Sequence, residues 1–438
     1  MAKRKNTGQK LWNRAKKIIP SGNMLLSKNP DRFLPNVWPT YYKKAKDCRI
    51  WDLDNNEFVD CSLMGIGTNI LGYSNSRVDS KVIKALKNGN MSTLNSPEEI
   101  ALTEKLLKIH PHFDMAKFAR SGGEANSIAI RISRAASGKD GVAVCGYHGW
   151  HDWYLSSNLQ NKNNLNSHLI KNLQTDGVPK VLKNTVFPFE YNDFEELKKI
   201  VEKNKVGTIK MEVYRNIEPK NNFLNKVRDL ATKKGIVLIF DECTSGFRKT
   251  FGGLHKHYKV IPDVAMFGKA LGNGYAITAI VGKKEVMEHA QNTFISSTFW
   301  TEKIGSVAAL ATLDVMNELK SWKIIDQIGK DIKKTWKEIA KLKNISIEIS
   351  GLNALAQFKI LSDKSNAYKT LITQEMLKKN ILATDTFYVS IDHKKSILNK
   401  YYDNLEKIFE KIHQCENGRK VSDFLKTKES IMGLPRLN

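Results

Sequence analysis

Two short stretches carry residues whose types and spacing suit covalent chemistry on a carbonyl. In MFGKALGNG (Met266–Gly274) an apolar run delivers Lys269, and the glycines behind it loosen the chain. An amine held at the end of a buried run is the group that condenses with an aldehyde or ketone to give an imine. In GIVLIFDECTSGFR (Gly235–Arg248) a second apolar run ends in Asp241, so a carboxylate emerges at the C-terminal end of an expected strand. Such an acid either caps a following helix or lies beside a nitrogen base and holds it protonated, because an adjacent anion raises the pKa of a cationic nitrogen. Glu212 and Asn216 close the run TIKMEVYRN in the same way.

A third stretch, FARSGGEANSIAIRISRAASGKD (Phe118–Asp140), reads as one helix: Ala125, Ile128, Ala129, Ile132 and Ala136 recur at helical spacing and Gly138 closes it. Ser121 with Glu124 forms a capping box. Taken alone this is a well-capped helix, yet Gly122 and Gly123 also let the free N–H groups at its start approach a phosphate. CGYHGWHDWY (Cys145–Tyr154) then places Tyr147 at a strand end, where doubly wound sheets open their ligand crevice. His148 and His151 have the spacing of a metal pair, but no HExxH helix or further ligand set accompanies them, so no metal is expected. An imine-forming lysine, a phosphate-binding helix start, an aromatic plate and a carboxylate for a pyridine nitrogen make up the parts list of a pyridoxal 5'-phosphate site. That cofactor is an electron sink for carbons bearing an amine.

These groups need a scaffold that ends several strands at one rim. From about residue 70 to 310 the short, β-branched runs GVAVCGY, NTVFPF, VGTIKMEV, GIVLIFDE, DVAMFGK and AITAIVG alternate with helix-period segments, the pattern of a mostly parallel, helix-covered sheet. Before it come a basic helix ending at IIPSG and a hairpin over CRIWDLDNNEFVDCS that turns at Asp54-Asn55-Asn56. From Lys320 onward amphipathic helices surround the strands ISIEISG and ALAQFKI. The reading is an α/β chain of three parts. An N-terminal segment, 1–65, packs with the small domain; a large cofactor-binding domain spans 66–315; and a smaller α+β domain spans 316–438.

Bulk composition narrows the partners. The net charge of +25 comes from 70 Lys and Arg against 45 Asp and Glu. The lysines are spread along the chain and mixed with acids, as in KDIKKTWKEIAKLK, so they describe solvated helix faces rather than a nucleic-acid stripe. The field still favours anionic small substrates. Five cysteines without a Cys-x-x-Cys pair point to reduced thiols and the cytoplasm. No run approaches the roughly 18 apolar residues of a membrane span, and the basic N-terminus has no apolar segment behind it.

The sequence resembles the class III aminotransferases of pyridoxal-phosphate fold type I, and within them glutamate-1-semialdehyde aminomutase and its relatives. The resemblance runs from about Leu11 to His413 and is carried by SGGEANSIAIRISRAASGKD, GYHGWHD, FDECTSGFR, FGKALGNGY and SSTFWTEKIGSVAALATLDVM, in the family's order. It implies a seven-stranded, mostly parallel sheet. It makes Lys269 the Schiff-base lysine and Asp241 the partner of the pyridine nitrogen, with Gly122 and Gly123 holding the phosphate through their backbone. Tyr147 would stack on one face of the ring, Cys243 would pack on the other, and Asn216 would reach the ring hydroxyl. Ser121, His148 and Glu212 fall in the same motifs and count with the cofactor site. Thr298 matches the threonine that completes the phosphate site from a partner subunit, which implies a homodimer with shared active sites. The implied reaction is ping-pong transfer of an amino group between a small amine or amino acid and a keto or aldehyde acceptor. The alternative is an aminomutase moving the amine within one molecule. Departures fall at Val213 after Glu212, at Thr301-Glu302-Lys303, at Ile66 where the aminomutases carry tryptophan, and in ATDTFYVSIDH. The resemblance therefore carries the cofactor and not the substrate.

Overall fold

In the N-terminal part, β1 (Tyr42–Lys46), β2 (Arg49–Asp52) and β3 (Glu57–Cys61) pair antiparallel in that order. The β2–β3 turn is tied by Asp52 Oδ1, which accepts from the N–H groups of Asp54 and Asn56 at 2.9 and 2.8 Å. This computed structural model describes residues 6–432 apart from 169, 172 and 215. It divides into two units: Ser76–Lys323, and the paired segments Met1–Asn75 and Ile324–Asn438.

The unit Ser76–Lys323 is built on seven strands: β4 (Met115–Ala119), β5 (Gly141–Cys145), β6 (Val186–Pro188), β7 (Val206–Glu212), β8 (Val237–Asp241), β9 (Val264–Phe267) and β10 (Thr278–Gly282). Their order is β4-β10-β9-β8-β7-β5-β6, and only β10 runs antiparallel to its neighbours. The six apolar runs of the sequence are six of these strands. The seventh, β4, lies just before the expected helix: the chain stays extended through Ala119, and the helix begins at Gly122, behind the cap expected at Ser121. β4 is five residues with Lys117 in its middle, too short and too mixed to show a strand's alternation.

Strands β5 and β7 to β10 are buried along their whole length, as expected of a sheet covered on both faces. The Gly122–Ser137 helix lays Ala125, Ile128, Ala129 and Ile132 against Val142, Val144, Val237, Ile239, Val264 and Met266. Each aliphatic side chain so buried contributes roughly 1.5–3 kcal/mol. Register sets Glu212 beside Asp241, and Asp241 beside Met266, so polar ends of neighbouring strands share one face.

In the other unit, β11 (Ile347–Ser350), β12 (Leu355–Ile360) and β14 (Thr386–Tyr388) form an antiparallel sheet, while β13 (Ile381–Ala383) pairs in parallel with β3. No described helix is long and apolar enough to cross a membrane.

Candidate active site

Asp241 ends β8 with its carboxylate buried. No helix follows it directly, and residues 243–249 turn instead, so it is not a helix cap. Its Oδ1 accepts from the Cys243 N–H at 3.1 Å, and its Oδ2 faces His148 Nδ1 at 3.0 Å and Lys210 Nζ at 3.7 Å. Burial pushes the acid's pKa up, but the Lys210 ammonium and the His148 contact outweigh it and hold Asp241 well below the usual carboxylate range. His148 is wholly buried, which pulls its pKa down to about 4 against the opposing pull of Asp241. It therefore carries one proton at neutral pH, on Nδ1, because a carboxylate outcompetes the Cys145 carbonyl that faces Nε2 at 3.1 Å. With its Nδ1–H given to Oδ2, His148 is a brace for Asp241.

Lys269 follows β9 at the start of a single tight turn and adopts a φ of +41°, sparsely populated for a residue with a side chain and a conformation that collects at functional positions. Its Nζ donates to Thr244 Oγ1 at 2.5 Å. Burial, and then the Arg248 guanidinium, lower its pKa and favour the neutral amine. Arg248 is itself buried and donates from Nε to the Thr244 carbonyl at 2.6 Å, so Thr244 links the two. The loop carrying Cys243, Thr244 and Arg248 is held by Glu242. That carboxylate accepts from the His255 N–H at 3.0 Å, from His255 Nδ1 at 2.5 Å and from Ser245 Oγ at 3.0 Å. Cys243 packs toward the backbone before Lys269: a Cβ built on Gly268 would lie 3.4 Å from its Sγ.

The Gly122–Ser137 helix starts with the expected capping box, Ser121 Oγ accepting from the Glu124 N–H and Glu124 Oε2 from the Ser121 N–H. Glu124 is fixed further by the Trp300 indole N–H at 3.1 Å. Beside the helix start, a Cβ on Gly123 would sit 3.2 Å from His151 Nε2 and 3.5 Å from Trp150 Nε1, while one on Gly122 would meet nothing. The two glycines thus leave a floor free of side chains at the helix start, with the ring nitrogens of His151 and Trp150 beside Gly123. Ser127 Oγ holds His151 Nδ1, which leaves Nε2 toward this floor. At the end of β5 the Tyr147 N–H donates to Glu212 Oε2 at 3.1 Å, and its ring stays accessible.

One rim therefore gathers Ser121, Gly122, Gly123, Tyr147, His148, Glu212, Asp241, Cys243 and Lys269. Asn216 lies beyond the end of β7, exposed and in the left-handed region at φ +62°, and Thr298 is exposed at the start of the Thr298–Thr301 turn. Lys210, Thr244 and Arg248 were not anticipated. For Lys210 the available signal was a lone cation at an inward position of the apolar run VGTIKMEV. Thr244 and Arg248 stood inside a motif already quoted, but nothing in their spacing tied them to Lys269.

A family model described as aminotransferase class-III matches residues 34–399. The chain is 32% identical over 384 residues to the 3-aminobutyryl-CoA aminotransferase of Cloacimonas acidaminovorans, spanning 85% of this chain and 88% of that protein. It is 30% identical over 403 residues to a glutamate-1-semialdehyde 2,1-aminomutase of Methanosphaera stadtmanae, 86% of this chain and 93% of the relative. Among solved structures, the FumI protein of Sphingopyxis sp. MTA144 in a PLP form shares the fold, with a TM-score of 0.84 and 21% identity over 94% of this chain and 98% of that one.

Proposed function

The chain belongs to the class-III aminotransferases, pyridoxal-phosphate enzymes that move amino groups, and on that premise we propose that Lys269 carries the cofactor and Asp241 governs its ring nitrogen. The observation that carries the reading is the pairing of a partly buried amine of lowered pKa with a buried, ionised carboxylate at neighbouring strand ends. The residues fit the group. The floor at Gly122 and Gly123 suits a phosphate, and the Tyr147 ring and Cys243 offer flat and soft contacts. When bound, pyridoxal phosphate supplies the electron sink for a carbon bearing an amine.

The protein's own groups do the rest. Lys269 Nζ, whose pKa burial lowers, is nucleophilic toward a carbonyl in its neutral form, and once displaced by an incoming amine it takes and returns a proton. Asp241 holds a proton on the ring nitrogen by its negative charge. His148 keeps that carboxylate aimed, and Glu212 fixes the backbone of Tyr147. The Gly122 and Gly123 N–H groups, with the dipole of a helix spanning Gly122–Ser137 and the Ser121 hydroxyl at its cap, neutralise the phosphate. Asn216 is assigned to the ring hydroxyl. Thr298 is assigned to a partner subunit's phosphate site, which makes the working form a homodimer.

The proposed reaction is ping-pong transfer from an amine or amino-acid donor to a keto or aldehyde acceptor, favoured for anionic substrates by the charge of +25. The five cysteines, all free, support a cytoplasmic setting. Intramolecular amine transfer, the activity named for the aminomutase relative, would show as turnover of a single amino-aldehyde with no second substrate. Borohydride reduction of the purified enzyme followed by peptide mapping tests the assignment. The pyridoxyl group is expected on Lys269, and its appearance on another lysine would overturn the reading.

A further inference from the structure

Strand β7 sends Thr208, Lys210 and Glu212 to one face of the sheet, the face covered by the Gly122–Ser137 helix. Across the ladders Lys210 lies beside Val144 and Ile239, in a layer otherwise built of Val142, Val237, Val264 and Met266. Its side chain is fully enclosed, and Nζ reaches Met266 Sδ at 3.0 Å and Asp241 Oδ2 at 3.7 Å. A thioether accepts weakly, and a buried ammonium is costly unless an anion faces it, so Asp241 is the partner that matters. His148, the other group on Oδ2, brings a neutral N–H; burial lowers the pKa of Lys210, and the Asp241 carboxylate is the main group that opposes this and favours the ammonium.

Resting on the assignment of Asp241 to the cofactor's ring nitrogen, we propose that Lys210 is a positioning residue that sets the strength of that pairing. Its ammonium shares the negative charge of Asp241. The ring nitrogen and the Lys269 nitrogen therefore hold their protons less tightly than an unshared carboxylate would make them. A bracing role for Lys210 would have the opposite consequence, because its loss would slacken Asp241.

The sign of one shift separates the two. In the holoenzyme, the pH midpoint of the bound cofactor's absorbance change follows the proton on the Lys269 nitrogen. Asp241→Asn removes an anion and is expected to move this midpoint down. Lys210→Met and Lys210→Gln remove a cation and are expected to move it up, by roughly one pH unit. A downward or absent shift in both Lys210 variants overturns the proposal. In the unaltered holoenzyme, nitrogen NMR of the lysine side chains is expected to show Lys210 as an ammonium at neutral pH, and a neutral amine there also overturns it. If Asp241→Asn leaves the midpoint in place, the assignment of Asp241 itself has failed. If Asp241→Asn lowers it while the Lys210 variants do not raise it, the site stands and only the role of Lys210 falls.

Discussion

At the scale of single residues, the proposed role places Asp241 under two demands: it must stay ionised to hold a proton on a neighbouring nitrogen, and it must neutralise Lys210 in a buried layer. Asp241→Asn keeps the shape, but its single carbonyl oxygen can replace only one of the two that face Cys243 and His148, and it supplies no charge. Turnover is expected to fall by about 10²–10³, the size typical of removing a preorganised charge from a reacting group. Stability should fall too, by about 3 kcal/mol, because the substitution strands a buried cation. The double variant Asp241→Asn/Lys210→Met should recover that stability without recovering activity, as read by thermal unfolding beside half-reaction kinetics with a substrate amine. Wild-type deprotonation rates in the Asn variant would make this carboxylate structural. Lys269 and Asp241 were legible in the sequence because each ends an apolar run. Lys210 was not, since only the register of β7 against β8 shows that it points inward at Asp241 rather than outward to water.

At the scale of elements, the turn that follows β5 joins the ring-facing and phosphate-facing parts of the site. Gly146 there takes a φ of +109°, and a Cβ on it would lie 2.4 Å from Glu212 Oε2 and 2.9 Å from Glu212 Cγ. Gly146→Ala is therefore expected to cost roughly 1–3 kcal/mol in backbone strain alone. It should also push Glu212 off the Tyr147 N–H and weaken cofactor affinity more than a surface Gly→Ala such as that at Gly177. Equal cofactor affinity in the two variants, measured by equilibrium titration of the apo-protein, would show that the turn does not set the site. The six strand runs were readable from short, β-branched stretches because the sheet is buried on both faces. β4 was not, being brief and half-buried with a lysine in its centre. The loop from Glu242 to His255 was equally hidden, since its order depends on a carboxylate meeting backbone and imidazole groups many residues away.

At the scale of the whole molecule, Thr298 stands in a segment that one chain leaves bare: Phe294 is 82% exposed and Phe299 is 70% exposed. Large exposed apolar side chains on both sides of Thr298 suit the proposed surface that a second copy covers. Dimers are expected to persist at sub-micromolar concentration, with cofactor loss tracking dissociation, and Thr298→Ala should weaken cofactor binding about tenfold while leaving the dimer intact. A monomer in sedimentation that keeps full cofactor occupancy would refute the shared site. The α/β class was readable from the alternation of runs and helices, whereas the strand order was not, because pairing between distant segments leaves no local trace. That order bears on how the chain matures during synthesis. Among the described residues β4, which launches the phosphate-facing helix, pairs with β10 alone, and β10 is the last strand of the sheet to leave the ribosome. A nascent chain can assemble β5 to β9 and expose Lys269 while the phosphate floor is still unanchored. In the proposed site, cofactor capture would then wait on the long-range closure of β10 between β9 and β4, which would make loading a late checkpoint on a completed large unit.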